Sequence, residues 1–129
     1  MGKPVSVGVG LMVGVLFKIS AVPLHMWCPD VFEGAGIDVS AFLSVASKGA
    51  GLALLVRIVT TLGQPAGFAG PTLHTLIIVL GIVGAITATV GNTGAFVQNN
   101  IKRLLAYSSI AHAGYMLCAI ALLARPGVD

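Results

Sequence analysis

An all-α, polytopic bundle of membrane-spanning helices is the fold class this sequence predicts, and three observations predict it. Of the 129 residues, 57% are hydrophobic and only 9% charged, whereas a soluble domain carries roughly 25% charged residues. The mean hydropathy is +1.00. Four apolar stretches are each long enough to cross a bilayer, which takes about 20 residues at about 1.5 Å of rise each. The formal net charge of +3 comes from scattered basic residues. No basic face with interleaved aromatics appears, so nucleic acid is not the partner. Cys28 and Cys118 lie far apart in or beside apolar runs, which suits buried thiols better than a disulfide framework. The chain reads as one transmembrane domain over residues 1–129.

The first span covers about residues 5–32 and is interrupted at Pro23 and Pro29. Its apolar opening, MGKPVSVGVG, reads as the start of a span and not as a cleaved leader, because Phe17 and Lys18 follow where small residues would be needed. The second span, about 39–61, comes after the acidic, glycine-bearing link CPDVFEGAGID. Asp38 or Ser40 is expected to cap it. The third, about 72–97, follows GQPAGFAGP, and the fourth, about 102–124, follows QNN. Gly81, Gly84, Ala85, Ala88 and Gly91 form a small-residue stripe, as do Gly10 and Gly14. Both are expected helix contacts, since apolar helices in lipid associate where backbones can approach closely. Lys102 and Arg103 in a short link mark its side as cytoplasmic, with Lys3 and Arg125 pointing the other way.

Charges inside the spans carry the functional signal. Lys48 follows Asp38 by ten residues, or about 15 Å along a helix, which is mid-bilayer. Lys18 lies about 20 Å from the outer start of the first span, and His112 about 13 Å into the fourth. Three titratable groups on three spans therefore reach similar depth. A lysine near a helix end snorkels to the interface, and a lone histidine on an apolar face is ordinarily a packing residue. Cations at the midplane instead face a bundle interior or a wet cavity and mark ion pathways. Pro23 lacks an N–H, so the carbonyl of Ile19, beside Lys18, loses its helical partner. Broken helices of this kind line coordinating sites in transporters. A desolvated lysine exchanges its proton nearer neutrality than an exposed one, so Lys18 is a candidate proton carrier.

Ser108, His112 and Tyr115 share one helix face and offer hydroxyls around the imidazole. Arg57 and His74 read as interfacial residues, Trp27 as an interfacial aromatic, and Glu33 and Asp38 as solvated loop acids. A metal site from His25, Cys28, Asp30 and Glu33 matches no ligand pattern. No phosphate-binding loop, paired nucleophile and base, or haem or iron-sulfur ligand set is present in the sequence.

The stretches FKISAVPLHMWCPDVFEGA, AFLSVASKGAG and NIKRLLAYSSIAHAGYM together resemble the antiporter-like membrane subunits of proton-translocating NADH:quinone oxidoreductase, respiratory complex I. That family is shared with the Mrp cation/proton antiporters. The resemblance covers nearly the whole chain and rests on the spacing of Lys18, Pro23, Trp27, Pro29, Asp30, Lys48, Lys102 and Arg103. The block SSIAHAGY resembles the subunit N branch more than its relatives. Two departures stand out: Ala35-Gly36-Ile37-Asp38 replaces a proline-rich link, which should loosen the start of the second span, and the AFV before Gln98 is uncharged where a basic residue is common.

The resemblance implies a larger fold of about fourteen helices, of which these residues resemble the seventh to tenth, so the sequence is expected to be a fragment. By the same resemblance Lys18 is the lysine before the break in the discontinuous seventh helix, Lys48 the connecting lysine of the eighth, and His112 a histidine on the central polar axis. The implied function is that of a proton-translocating subunit of an NADH:quinone oxidoreductase. Quinone reduction elsewhere in the complex would then drive proton transfer through buried lysines. The chain is expected to hold no redox centre, cofactor or metal of its own, quinone and NADH being used by the whole complex. Its partners would be the other membrane subunits of complex I and the lipid, in the bacterial inner membrane. Two other readings stay open: a subunit of an Mrp-type cation/proton antiporter, and a structural bundle without transport.

Overall fold

The structure, a computed structural model, describes residues 2–62 and 71–124, with side chains from residue 6 onward. Helix α1 runs Gly2–Ile19 and a short α2 runs Trp27–Gly34. Helices α3 (Ile37–Leu62), α4 (Pro71–Phe96) and α5 (Ile101–Leu123) are each long and apolar enough to cross a membrane. No strand occurs among the described residues. The chain is thus an all-α membrane bundle. The link at 63–70, Arg125 and the side chain of Lys3, all used in the sequence-based topology, lie outside the described residues and side chains.

The interruption of the first span begins at Ser20, three residues before Pro23. Ser20 takes a left-handed φ of 65°. Its N–H bonds the carbonyl of Phe17 at 3.0 Å, and the N–H of Ala21 bonds that of Leu16 at 2.9 Å. This paired 5→2 and 6→1 pattern is a Schellman stop, with serine where glycine is usual. The turn after it is pinned from outside. Val22 N–H donates to the hydroxyl of Thr87 on α4 at 3.0 Å, and the indole Nε1 of Trp27 donates to the carbonyl of Phe17 at 3.1 Å. Trp27 therefore closes the break by bonding a backbone group at the end of α1, beyond the interfacial role its type suggests.

Helices α4 and α5 form the tightest pair. A Cβ on Gly91 would stand 2.6 Å from the backbone nitrogen of Ala111, and one on Gly84 2.9 Å from Cys118 Sγ. Gly114 meets the backbone of Ala88 in the same way. The expected small stripe on α4 is this contact, except that Ala85 faces outward. The other expected stripe is not a contact: around Gly10 and Gly14 nothing lies within 4 Å of an added Cβ. The main core gathers Val15 and Ile19 of α1, Leu55 and Val59 of α3, Ile77 and Leu80 of α4, and Leu117 and Ile120 of α5. A second core joins Cys28 and Phe32 of α2 to Ala106 and Ile110 of α5.

Helix α2 is strapped to the start of α5. Arg103 pairs with Glu33 at 3.0 Å and with Asp30 at 3.7 Å. Asn100 donates to Glu33 at 3.3 Å, and Lys102 Nζ to the carbonyl of Ala35 at 3.2 Å. Glu33 is thus a paired acid and not a merely solvated one. The expected cap of α3 is also different: Gly36 occupies the N-cap without a side-chain bond, and Ser40 donates instead to the carbonyl of Phe32 at 3.4 Å. Local spacing could not show that α2 would fold back close enough to take that hydroxyl.

Candidate functional site

Lys48 is the one buried charge among the described residues, with 5% of its surface exposed. It begins the α-helical run that comes after a π-helical turn at Leu43–Ser47. A π turn holds one residue more than an α turn and so rotates the later residues of the helix about its axis, a feature frequent at functional sites. The Lys48 ammonium donates to Ser109 Oγ on α5 at 2.5 Å and lies 3.8 Å from Cys28 Sγ on α2. The ring of Phe32 covers it, 5.9 Å from the ring centroid. No carboxylate pairs with Lys48 among the described residues, and Asp30 and Glu33 are engaged by Arg103.

Lys48 opens onto a cavity of about 610 Å³ between α3 and α5, whose walls include Ser44, Ser108, Ser109 and His112. The Nδ1 of His112 lies 2.8 Å from the backbone carbonyl of Ser108. A carbonyl can only accept, so Nδ1 carries the hydrogen and Nε2 is the ring's acceptor in the neutral imidazole. The structure therefore brings Lys48, Ser108 and His112 to one cavity, although the group that orients the imidazole is the backbone of Ser108 and not its hydroxyl.

The remaining candidates stand apart from that cavity. Lys18 is exposed, and its Cγ lies 3.8 Å from where a Cβ on Gly51 would stand, one turn beyond Lys48 along α3. Tyr115 and His112 stack edge to face with ring centroids 6.1 Å apart, while the Tyr115 hydroxyl accepts from Asn92 of α4 at 2.6 Å. Pro23 sits in the turn that Thr87 anchors. Arg57 and His74 are exposed near helix ends. Among the described residues no cluster of three or more His, Cys, Asp or Glu could hold a metal.

Ser109, Cys28 and Thr87 contribute to the site or the break without having been found in the sequence as such. Ser109 adjoins Ser108 in SSIAHAGY, but which serine meets Lys48 depends on how α5 is rotated against α3. Cys28 read as a buried thiol with no assigned partner. Thr87, fully buried in an apolar helix, had no distinguishing signal.

The sequence model of a transmembrane family described as NADH:quinone oxidoreductase/Mrp antiporter matches residues 4–129. The chain is 52% identical to "NADH-quinone oxidoreductase subunit N 2" of Solibacter usitatus over 84% of its own length and 21% of that relative's. It is also 52% identical to the protein of the same name from Sorangium cellulosum, over 92% of this chain and 23% of the relative. With "NADH-quinone oxidoreductase subunit N" of Geobacillus kaustophilus it shares 42% identity, over 92% of the chain and 25% of the relative. The chain thus spans between a fifth and a quarter of the length of these curated relatives. It is a multi-pass bacterial membrane protein, and it belongs to the NADH:quinone oxidoreductase/Mrp antiporter transmembrane family.

Proposed function

We propose that this chain is part of a proton-translocating membrane subunit of an NADH:quinone oxidoreductase, and that Lys48 carries the proton, with His112 extending the path. The carrying observation is a buried lysine that no carboxylate among the described residues neutralises, bonded to Ser109 on the wall of a cavity shared with His112. A lysine locked to a carboxylate is held charged. One bonded to hydroxyl and thiol groups can gain and release a proton, because its partners can act as donors or acceptors. Lys18, near the broken end of α1, has its Cγ 3.8 Å from where a Cβ on Gly51 would stand, one turn beyond Lys48 along α3, and supplies a second exchange site. The redox chemistry belongs to other subunits, and quinone and NADH are used there.

The test compares Lys48→Met and Lys48→Arg in the assembled complex in proteoliposomes, with electron transfer followed in parallel. Arginine keeps the charge but does not release its proton. Both variants are expected to lose most quinone-linked proton translocation; wild-type pumping by Lys48→Arg would reduce the lysine to a fixed charge and overturn the relay. The matching family also covers Mrp antiporters, so a cation/proton antiporter subunit is the second reading. Co-purification separates the two, since dehydrogenase subunits accompany the chain only in the first.

A further inference from the structure

Among the described residues Lys48 has two side-chain hydrogen-bond partners, and the proton-transfer reading gives neither of them a proton-holding role of its own. One of them, Cys28, is fully buried, lies 3.8 Å from the lysine nitrogen, and is a free thiol. It arrives from a different element: α2 presses Cys28 and Phe32 into the core against Ala106 and Ile110 of α5, while the lysine comes from α3.

Three facts give this pairing chemical content. First, the thiol can serve the lysine in either protonation state, its sulfur accepting from an ammonium and its S–H donating to a neutral amine. A carboxylate partner would favour the ammonium alone. Second, free thiol and amine groups differ by only about two pKa units, whereas an ordinary carboxyl lies about six units below the amine. Moving a proton within a thiol–amine pair therefore costs far less than moving one from lysine to a carboxylate. Third, the pair is sealed on one side by Phe32 and opens on the other to the cavity that holds Ser108 and His112. Among the described residues, the charged and titratable groups around it include Lys102 and His112 on α5, which line the same cavity, Tyr107 of α5, which packs against the core that holds Cys28, Lys18 of α1 near Gly51, and Asp30 and Glu33 on α2, which Arg103 engages.

We propose that Cys28 is the proton-sharing partner of Lys48, a relay residue that holds the exchangeable proton when the lysine is neutral. In the elementary step the S–H bond breaks as an N–H bond forms on the neutral amine. Thiol and amine become thiolate and ammonium, and no electron or third reactant takes part. The reverse step restores the thiol and frees the amine to take a proton from the cavity. This role rests on the proton-transfer reading of Lys48, but its signature can be read without measuring transport.

The test is infrared spectroscopy of the assembled complex in proteoliposomes, with the Cys28 S–H stretch isolated by subtracting the spectrum of Cys28→Ser. In the wild type this band is expected to be broadened and shifted to lower frequency, as for a hydrogen-bonded thiol, and to change intensity with pH. In Lys48→Met it should become sharp, unshifted and insensitive to pH; Lys48→Arg, which keeps the bulk, guards against loss of packing as the cause and should also remove the pH response. An identical Cys28 band in wild type and both lysine variants would overturn the proposal. A lysine-dependent band alongside normal pumping by Lys48→Arg would uphold the pair and sink the transport reading instead, so the two failures are distinct. Cys28→Ser should also displace the pH profile of proton translocation, whereas a thiol that merely fills space would leave that profile unmoved.

Discussion

Ser20 shows how much of the break depends on one residue's backbone. A left-handed conformation costs a non-glycine residue about 1–2 kcal/mol, and the Ser20 hydroxyl is buried without a partner among the described residues. Ser20→Gly removes both penalties and is expected to stabilise the break by about 1 kcal/mol, seen as a higher temperature for loss of the subunit from detergent-solubilised complex. Thr87 works in the opposite sense. Its hydroxyl takes the Val22 N–H and donates in turn to the carbonyl of Val83 at 2.6 Å. Thr87→Val keeps the shape but leaves the N–H unpaired, at a cost of about 1–3 kcal/mol; Thr87→Ser should restore most of it in the same assay.

Among the elements, α4 and α5 are joined through backbone and α2 through a charged strap beside a small apolar core, and the backbone joint and the polar one should fail differently. At Gly91 an added methyl meets the backbone of Ala111, which cannot rotate away as a side chain can. Gly91→Ala is expected to separate the pair or prevent assembly, with overpacking of about 1–3 kcal/mol or more, whereas Gly10→Ala, with nothing within 4 Å among the described residues, should leave the packing of these helices unchanged. The α2 strap is half open to water, with the Asp30 side chain 75% exposed and that of Glu33 43%. Exposed pairs contribute only about 0–1 kcal/mol and weaken with salt. Glu33→Gln should therefore cost under about 1 kcal/mol in thermal stability, with the difference from wild type fading at high salt.

For the whole molecule, the arrangement of titratable groups predicts a graded loss of transport. Lys48 and His112 share a cavity, and the stem of Lys18 on α1 passes Gly51, one turn beyond Lys48 along α3. In proteoliposomes, Lys48→Met is expected to cut translocation most strongly. Lys18→Met should come next, since it removes the proposed second exchange site, and His112→Ala should slow translocation without abolishing it. Equal losses in all three would contradict this order.

Much of this was legible in the sequence alone. The apolar runs specified helices because a bilayer offers no partner for unpaired backbone groups. Lys48 declared itself by depth, since a cation about 15 Å along a span has few places to go. The pairing of Lys48 with Ser109 and Cys28, the Schellman stop at Ser20 and the hold of Thr87 on Val22 were decided only by tertiary structure. Each joins residues distant in sequence or turns on a backbone angle, and each is set by how helices rotate and approach one another. Hydropathy records whether a side chain prefers lipid, and it carries no information about which neighbour that side chain will meet.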